Sequence, residues 1–257
     1  MTEEIKDAGK IKSEIKEGVA TIEFSHPLSN SMPGKLLTQL AHTITQMSSE
    51  NSVVVIILKS AGEKAFCAGA SFDELLSINN IEEAKLFFSG FANVINAARE
   101  CPKFILGRVQ GKAVGGGVGL AASSDYCVAT TAASVKLSEL AVGIGPFVVG
   151  PVIERKIGLS AMSQLAMNAT EWYSAQWAKE KGLFAEVFNS IEEMDKAIFK
   201  LAHTLAKSNP EAMKEMKKTF WQGTEHWNKL LTQRAAISGK LVLSDFSVKA
   251  ISAFKKK

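Results

Sequence analysis

The chain has 257 residues, of which 46% are hydrophobic, and its formal net charge is +4. This composition supports a sizeable buried core and excludes an intrinsically disordered chain. Three of the positive charges are the lysines at 255–257, so the balance does not favour a nucleic-acid binder.

The cysteines indicate neither a disulfide framework nor a metal site. Cys67, Cys101 and Cys127 are widely spaced, and no CxxC pair or Cys/His cluster accompanies them. The charged segment 1–7 lacks the apolar run of a signal peptide, and no apolar run reaches the length of a membrane helix. We therefore expect a cytoplasmic protein with reduced thiols, no metal and no membrane contact.

The first part of the sequence predicts strands followed by a helix. Residues 11–15 and 19–24 alternate apolar and polar side chains, as hairpin strands with one wet face do. Pro33 is placed to open a helix. The apolar residues of that helix fall on one face: Leu36, Leu37, Leu40, Ala41, Ile44 and Met47. The β-branched run at 53–58 predicts a strand that is covered on both sides.

The rest of the chain continues as alternating strands and helices and then becomes helical. We predict a helix over 81–99, and strands at 104–106 and 125–129. Alternation of this kind indicates βαβ units and an α/β fold. Helical patterns dominate beyond about residue 158, so we predict a core over 1–200 and a helical region over 201–257.

Two glycine-bearing turns are candidates for binding a developing negative charge. They are Ala68-Gly69-Ala70 and the triplet 115–117, which leads into a helix. Turns without side chains let backbone N–H groups point outward, and two such donors can form an oxyanion hole. The alternative is that the glycines only permit close packing of helix and strand, and spacing alone favours that alternative.

The same region contains a weak dinucleotide-binding pattern. Residues 117–122 fit G-x-G-x-x-A, and Glu139 lies near the distance expected of a ribose-binding acid. Against that interpretation, the polar stretch with Arg108, Gln110 and Lys112 occupies the place of the expected buried strand. An NAD-dependent oxidoreductase is therefore the weaker hypothesis.

Five segments of the sequence resemble one family in order and spacing. They are Pro27 with Asn30, KAFCAGA at 64–70, GKAVGGGVGLA at 111–121, the stretch 137–146, and the stretch 175–183. Together they span nearly the whole chain and resemble the crotonase (enoyl-CoA hydratase/isomerase) superfamily. The resemblance implies a spiral of repeated ββα units with a helical C-terminal region that forms trimers or hexamers.

The resemblance also implies roles for particular residues. The peptide N–H groups of Ala70 and Gly116 correspond to the family's oxyanion hole, and Lys64 and Ala68 to positions that hold coenzyme A. Coenzyme A is then part of the substrate, so no separate cofactor is expected. Lys257 is the closest match to a C-terminal lysine that reaches a neighbouring subunit's coenzyme A.

One departure from the family pattern concerns the catalytic acids. Family hydratases carry two glutamates, and here the first position is Gly119 and the second is Glu139. In an apolar pocket, desolvation would raise the pKa of Glu139 toward neutrality, which suits a proton shuttle. Asp125, by contrast, is interpreted as a structural acid that ties a strand end.

Three functions remain open at this point. The first is hydration or isomerisation of an enoyl thioester, with a branched thioester such as methylglutaconyl-CoA among the candidate substrates. The second is Δ3,Δ2-enoyl-CoA isomerisation by a single glutamate. The third is a non-catalytic protein that binds acyl-CoA or RNA on the same scaffold.

Overall fold

A computed structural model of the chain describes residues 9–255. Residues 1–8 and 256–257 lie outside that part, and so do the expectations placed on segment 1–7 and on Lys257. The strands are β1 (Lys10–Lys16), β2 (Val19–Ser25), β3 (Val55–Ser60), β4 (Ala65–Cys67), β5 (Phe104–Val109), β6 (Lys112–Val114), β7 (Tyr126–Thr130), β8 (Ser134–Lys136), β9 (Tyr173–Ser174) and β10 (Glu186–Phe188). The helices are α1 (Gly34–Ser49), α2 (Phe72–Ser77), α3 (Ile81–Glu100), α4 (Gly116–Ala122), α5 (Gly150–Met167), α6 (Ala175–Glu180), α7 (Ile191–Ala206), α8 (Pro210–Phe220), α9 (Trp227–Val242) and α10 (Asp245–Lys255), with a 3₁₀ helix at Leu140–Val142.

The strands form two sheets with a repeating connection between them. The larger sheet has the order β1-β2-β3-β5-β7-β10, and the smaller one has the order β4-β6-β8-β9. Three consecutive pairs, β3–β4, β5–β6 and β7–β8, each place their first strand in the larger sheet and their second in the smaller. A helix follows each pair. The predicted α/β fold of repeated ββα units is confirmed.

Both faces of the larger sheet are buried. One face packs against α1, α3, α4 and α5 in the main apolar core, which includes Ile22, Ile56 and Ile105. The other face, with Ile57 and Leu106, packs beneath α7 and α8. Parallel strands covered on both sides read as continuous apolar runs, which explains the pattern at 53–58.

The interpretation of the polar stretch after 104–106 was wrong. Arg108 lies within the fully buried strand β5, and Gln110 directly follows it, buried as well. The guanidinium group of Arg108 donates to both carboxylate oxygens of Asp195, at 2.7 and 3.0 Å, and the amide of Gln110 donates to Ser60 at 2.9 Å. Buried polar groups are tolerated when each has a partner, so polarity alone did not exclude a strand here.

The C-terminal helices pack back onto the rest of the chain. Helix α9 lies along α3, and Leu231 and Ala235 of α9 belong to the main core. The predicted division at 200 and 201 falls inside the continuous helix α7 and stays a prediction. Within residues 9–255, no helix is long and apolar enough to cross a membrane.

Candidate active site

The segment before α1 holds the first glycine turn in place. Asn30 is buried in the left-handed region, at φ 57°, and its amide nitrogen donates to the carbonyls of Ala61 and Ala65 at 2.8 and 2.9 Å. The N–H of Ala68 then donates to Ser29, at 3.1 Å, and the carbonyl of Gly69 accepts from Met32, at 2.8 Å. The turn that follows β4 is therefore fixed on both sides of Gly69.

The two glycine turns lie against each other. Gly69 has a φ of +86°, and a β-carbon there would lie 2.7 Å from the carbonyl oxygen of Val114 and 3.5 Å from the amide nitrogen of Gly116. Only glycine fits this approach, because any side chain would meet the neighbouring backbone. Among residues 9–255, no backbone hydrogen bond uses the N–H of Ala70 or of Gly116. Both donors are thus available to a ligand.

Glu139 stands beside the second turn. It follows β8 and precedes the 3₁₀ helix, and its carbonyl accepts hydrogen bonds from Val142 and Ile144 at 3.2 and 2.9 Å. A β-carbon on Gly115 would lie 2.9 Å from Oε1 of Glu139. Gly115, at φ 52° and ψ −117°, therefore provides both an unusual backbone bend and the room for this carboxyl group.

The electrostatic environment of Glu139 favours the protonated acid. Although the residue as a whole is partly exposed, its Oε2 atom is buried and has no hydrogen-bond partner within the described part of the chain. Burial raises the pKa of the Glu139 carboxyl from 4.5 to about 7, against a smaller lowering by a backbone hydrogen bond. The predicted shift toward neutrality is confirmed. A carboxyl group poised near neutral pH can both take and return a proton.

The two turns and Glu139 line one pocket of about 560 Å³ of empty space, part of it open to solvent. Its other lining side chains are mainly apolar: Phe72, Leu75, Phe88, Phe91, Val114, Val142, Ile144, Pro146, Phe147, Val148 and Val149, with the hydroxyl-bearing Ser138 and Ser238. Of the predicted site residues, the structure brings Ala68, Ala70, Gly116 and Glu139 together here. Lys64 is exposed and does not line the pocket.

The position of the missing first acid is filled by another side chain. A β-carbon on Gly119 would lie 2.5 Å from Cγ1 and 2.8 Å from Cβ of Val149. Val149 is itself buried and lines the pocket. Since no side chain fits at 119 while Val149 keeps its place, Glu139 is the one carboxylate among the described lining residues.

Several lining residues were not identified from the sequence. Phe88 and Phe91 belong to α3 and Ser238 to α9, far along the chain from the glycine turns. The regular spacing of apolar residues in α3 predicts that its aromatic side chains are buried, but it does not predict which residues they contact. Ser238, 1% exposed, carried no sequence signal because a serine within a helix is most often solvated.

Comparisons with known proteins identify the relatives of this chain. Residues 14–257 match the family described as Enoyl-CoA hydratase/isomerase. The chain is 30% identical to a short-chain-enoyl-CoA hydratase from Clostridium acetobutylicum, over 82% of this chain and 80% of that protein. It is 32% identical to the mitochondrial methylglutaconyl-CoA hydratase of Mus musculus, over 76% of this chain but only 63% of that protein. A crystal structure of enoyl-CoA hydratase from Bacillus halodurans superposes with a TM-score of 0.87 at 21% identity, covering 95% of this chain and 99% of that one.

Proposed function

Because this chain belongs to the enoyl-CoA hydratase/isomerase family, and is thus a lyase or isomerase, we propose that it moves a proton next to the carbonyl of an enoyl-CoA thioester. The observation that carries the proposal is the carboxyl of Glu139, whose Oε2 is buried and has no partner, set in an apolar pocket beside two unused backbone N–H groups. This is the environment in which a carboxyl group acts as a base at neutral pH.

The N–H groups of Ala70 and Gly116 are proposed to bind the thioester oxygen. When a proton leaves the carbon next to the thioester, negative charge moves onto that oxygen as an enolate. Two fixed donors stabilise this charge more than they stabilise the neutral thioester, which lowers the barrier. The close approach of the amide nitrogen of Gly116 to the bend at Gly69 supports the arrangement.

Glu139 is proposed to carry the proton. In a 3-enoyl thioester its carboxylate would take the proton from C2, giving a dienolate conjugated from the thioester oxygen to C4. The resulting carboxylic acid would return the proton at C4, which re-forms the thioester carbonyl, moves the double bond to C2–C3 and restores the carboxylate. A single group with a pKa near the working pH is sufficient for both transfers.

Isomerisation is favoured over hydration by the contact between Gly119 and Val149. Concerted addition of water is helped by a second acid that orients the water, and Val149 occupies the room for such an acid. Hydration remains the second candidate because the relatives from Clostridium and Mus musculus are named hydratases. The third, a non-catalytic acyl-CoA or RNA binder, predicts no turnover at all.

The remaining parts of the proposal concern coenzyme A and assembly. Lys64 and Ala68 are proposed to hold coenzyme A, with Ala68 at the pocket after β4 and Lys64 exposed directly before that strand. A branched methylglutaconyl chain is the alternative acyl group, because the relative from Mus musculus is named for it. We further propose that the chain forms a homotrimer or hexamer and is located in the cytoplasm. Light scattering on the purified chain tests the assembly, and fractionation of its native host tests the location.

The decisive experiment compares 3-enoyl and 2-enoyl thioesters of equal length with wild type and Glu139→Gln. Conjugation gives the 2-enoyl thioester additional ultraviolet absorbance beyond that of coenzyme A itself, so isomerisation increases the absorbance and hydration decreases it. We expect isomerisation by wild type and a loss of about 10²–10⁴-fold in kcat for the variant.

Glu215→Gln is the matched control, because Glu215 is exposed on α8, away from the pocket. It should leave turnover unchanged. Equal turnover by Glu139→Gln and wild type would contradict the mechanism, and absence of any turnover alongside RNA binding would favour the non-catalytic alternative.

A further inference from the structure

No positively charged side chain of residues 9–255 lines the pocket. Among its described lining residues there is no lysine, arginine or histidine, and the polar side chains are limited to Ser138, Glu139 and Ser238. Taking the proposed function as its basis, we infer that the pocket accepts uncharged acyl chains and rejects acyl chains that end in a carboxylate. This names the class of substrate within the enoyl thioesters.

The inner wall of the pocket is made of closely packed hydrocarbon. Leu75, Phe91, Val142 and Ile144 are each between 4% and 5% exposed, and Phe88 is 8% exposed. Such a surface gains from contact with methyl and methylene groups. Among the described lining side chains the only hydroxyl donors are Ser138 and Ser238, too few to replace the water around a carboxylate, and an ionised group buried without a charged partner is strongly disfavoured.

The charge of Glu139 acts in the same direction. A second carboxylate in the pocket would face this side chain, whose Oε2 already lacks a partner. Two like charges in a site of low polarity destabilise each other, so a dicarboxylic acyl group must either lose its charge or raise the pKa of Glu139 further. Either outcome weakens binding near neutral pH.

The neighbouring groove does not supply the missing cation. It runs between α1, α2 and α3 and is lined by Lys35, but also by Glu74 and Glu83. The carboxylate of Glu74 accepts a hydrogen bond from the N–H of Gly34 at 2.7 Å. An acyl chain that reached this groove would therefore meet more negative than positive charge.

The inference separates this chain from one of its relatives. A methylglutaconyl group carries a carboxylate at the end distant from the thioester. The relative from Mus musculus is named for that substrate, whereas the relative from Clostridium acetobutylicum is named for short-chain enoyl thioesters. The composition of the pocket favours the second kind of substrate for this chain.

Two unreactive thioesters of equal size test the inference. Glutaryl-CoA and 5-methylhexanoyl-CoA differ only in that an isopropyl group replaces the terminal carboxylate. Calorimetric titration at pH 8 should give a Kd for glutaryl-CoA on the order of 100-fold higher than that for 5-methylhexanoyl-CoA. Because neither compound has a double bond to move, the measurement does not depend on turnover.

Measuring both Kd values at high salt and in one variant distinguishes the cost of burying a carboxylate from its repulsion by Glu139. Burial effects change little with ionic strength, whereas long-range repulsion is screened. We expect the ratio of the two Kd values to persist at high salt and to fall, but stay above about tenfold, in Glu139→Gln.

Equal Kd values in wild type, or a ratio abolished by salt, would overturn the inference while leaving the proposed function intact. A ratio that disappears in Glu139→Gln would overturn the role of the apolar lining. If neither thioester binds, the acyl-CoA function itself is wrong and the inference falls with it.

Discussion

Two buried carboxylates in this molecule have opposite surroundings. The Oδ2 atom of Asp125 accepts from the N–H of Ile105 at 2.7 Å and pairs with Nζ of Lys217 at 2.9 Å, while its Oδ1 accepts from Nε1 of Trp221 at 2.8 Å. Glu139 has an oxygen with no partner and a pKa raised to about 7 by burial.

The difference shows how the same chemical group serves structure in one place and, on the proposed mechanism, reactivity in another. The partners of Asp125 tie β5 to α8, and the interpretation of this residue as a structural acid is confirmed. The desolvated carboxyl of Glu139, whose Oε2 has no partner, can exchange a proton near neutral pH, at a cost to the stability of the folded state.

Among the substitutions that test this contrast, we expect Asp125→Asn to change the free energy of unfolding most. The substitution removes the negative charge but leaves the ammonium group of Lys217, 2% exposed, without a counter-ion. Breaking a buried pair in this way costs about 3–5 kcal/mol. Chemical denaturation should show that loss in the free energy of unfolding, with kcat of the folded variant within about threefold of wild type.

Glu215→Gln again provides the control, since Glu215 and Lys218 are exposed and their charged atoms lie 3.8 Å apart. Its effect on stability should stay below about 1 kcal/mol. If Asp125→Asn were no more destabilising than this control, the contrast between the two carboxylates would be lost.

A smaller effect concerns the dependence of stability on pH. The pKa of Glu139 is about 7 in the folded chain, whereas its reference value is 4.5. Between pH 4.5 and pH 7 the folded state therefore binds more protons than the unfolded state. This contribution to stability is therefore present below pH 4.5 and is lost as the pH rises through 7. Between pH 5 and pH 8 the loss amounts to about 2 kcal/mol.

Glu139→Gln removes this titration. Relative to wild type, the variant should gain about 2 kcal/mol in the free energy of unfolding between pH 5 and pH 8. Denaturation curves of both proteins across that range measure the gain. A constant difference between the two proteins would show that the carboxyl of Glu139 is not desolvated.

The smallest effect tests whether Glu139 stands alone in the pocket. Gly119→Ala places a methyl group against Val149 and should cost about 1–2 kcal/mol of stability. In a Val149→Gly background the same change should cost much less, because both contacting atoms, Cγ1 and Cβ of Val149, are then absent. A double-mutant cycle measures the coupling. Absence of coupling would mean that position 119 has room for a second acid after all.

Local sequence patterns predicted most helices and strands close to their observed positions. The helix predicted over 81–99 is observed at Ile81–Glu100, because its apolar period is regular and Asn80 caps it through the N–H of Glu83 at 2.9 Å. The strand predicted over 53–58 begins two residues later. The N–H groups of Val54 and Val55 both point to the carbonyl of Gly18, a contact that depends on the fold and not on local sequence.

The candidate site was predicted only in part, and the reason is sequence separation. Ala70, Gly116 and Glu139 belong to motifs, and the resemblance to a family placed them together. The contact of Val149 with Gly119, and the wall made by Phe88 and Ser238, join segments that no short-range pattern relates. The burial of Arg108 was missed for the same reason, since its partner Asp195 lies 87 residues along the chain.

The position of Ser238 in the pocket wall has a consequence for biosynthesis. The glycine turns, Glu139 and the aromatic wall all precede residue 150, yet α9 completes the enclosure from near the C-terminal end. During synthesis, Glu139 therefore lies in an unfinished, wetter cleft until α9 has emerged and docked on α3. On the proposed mechanism, proton transfer by Glu139 depends on that docking.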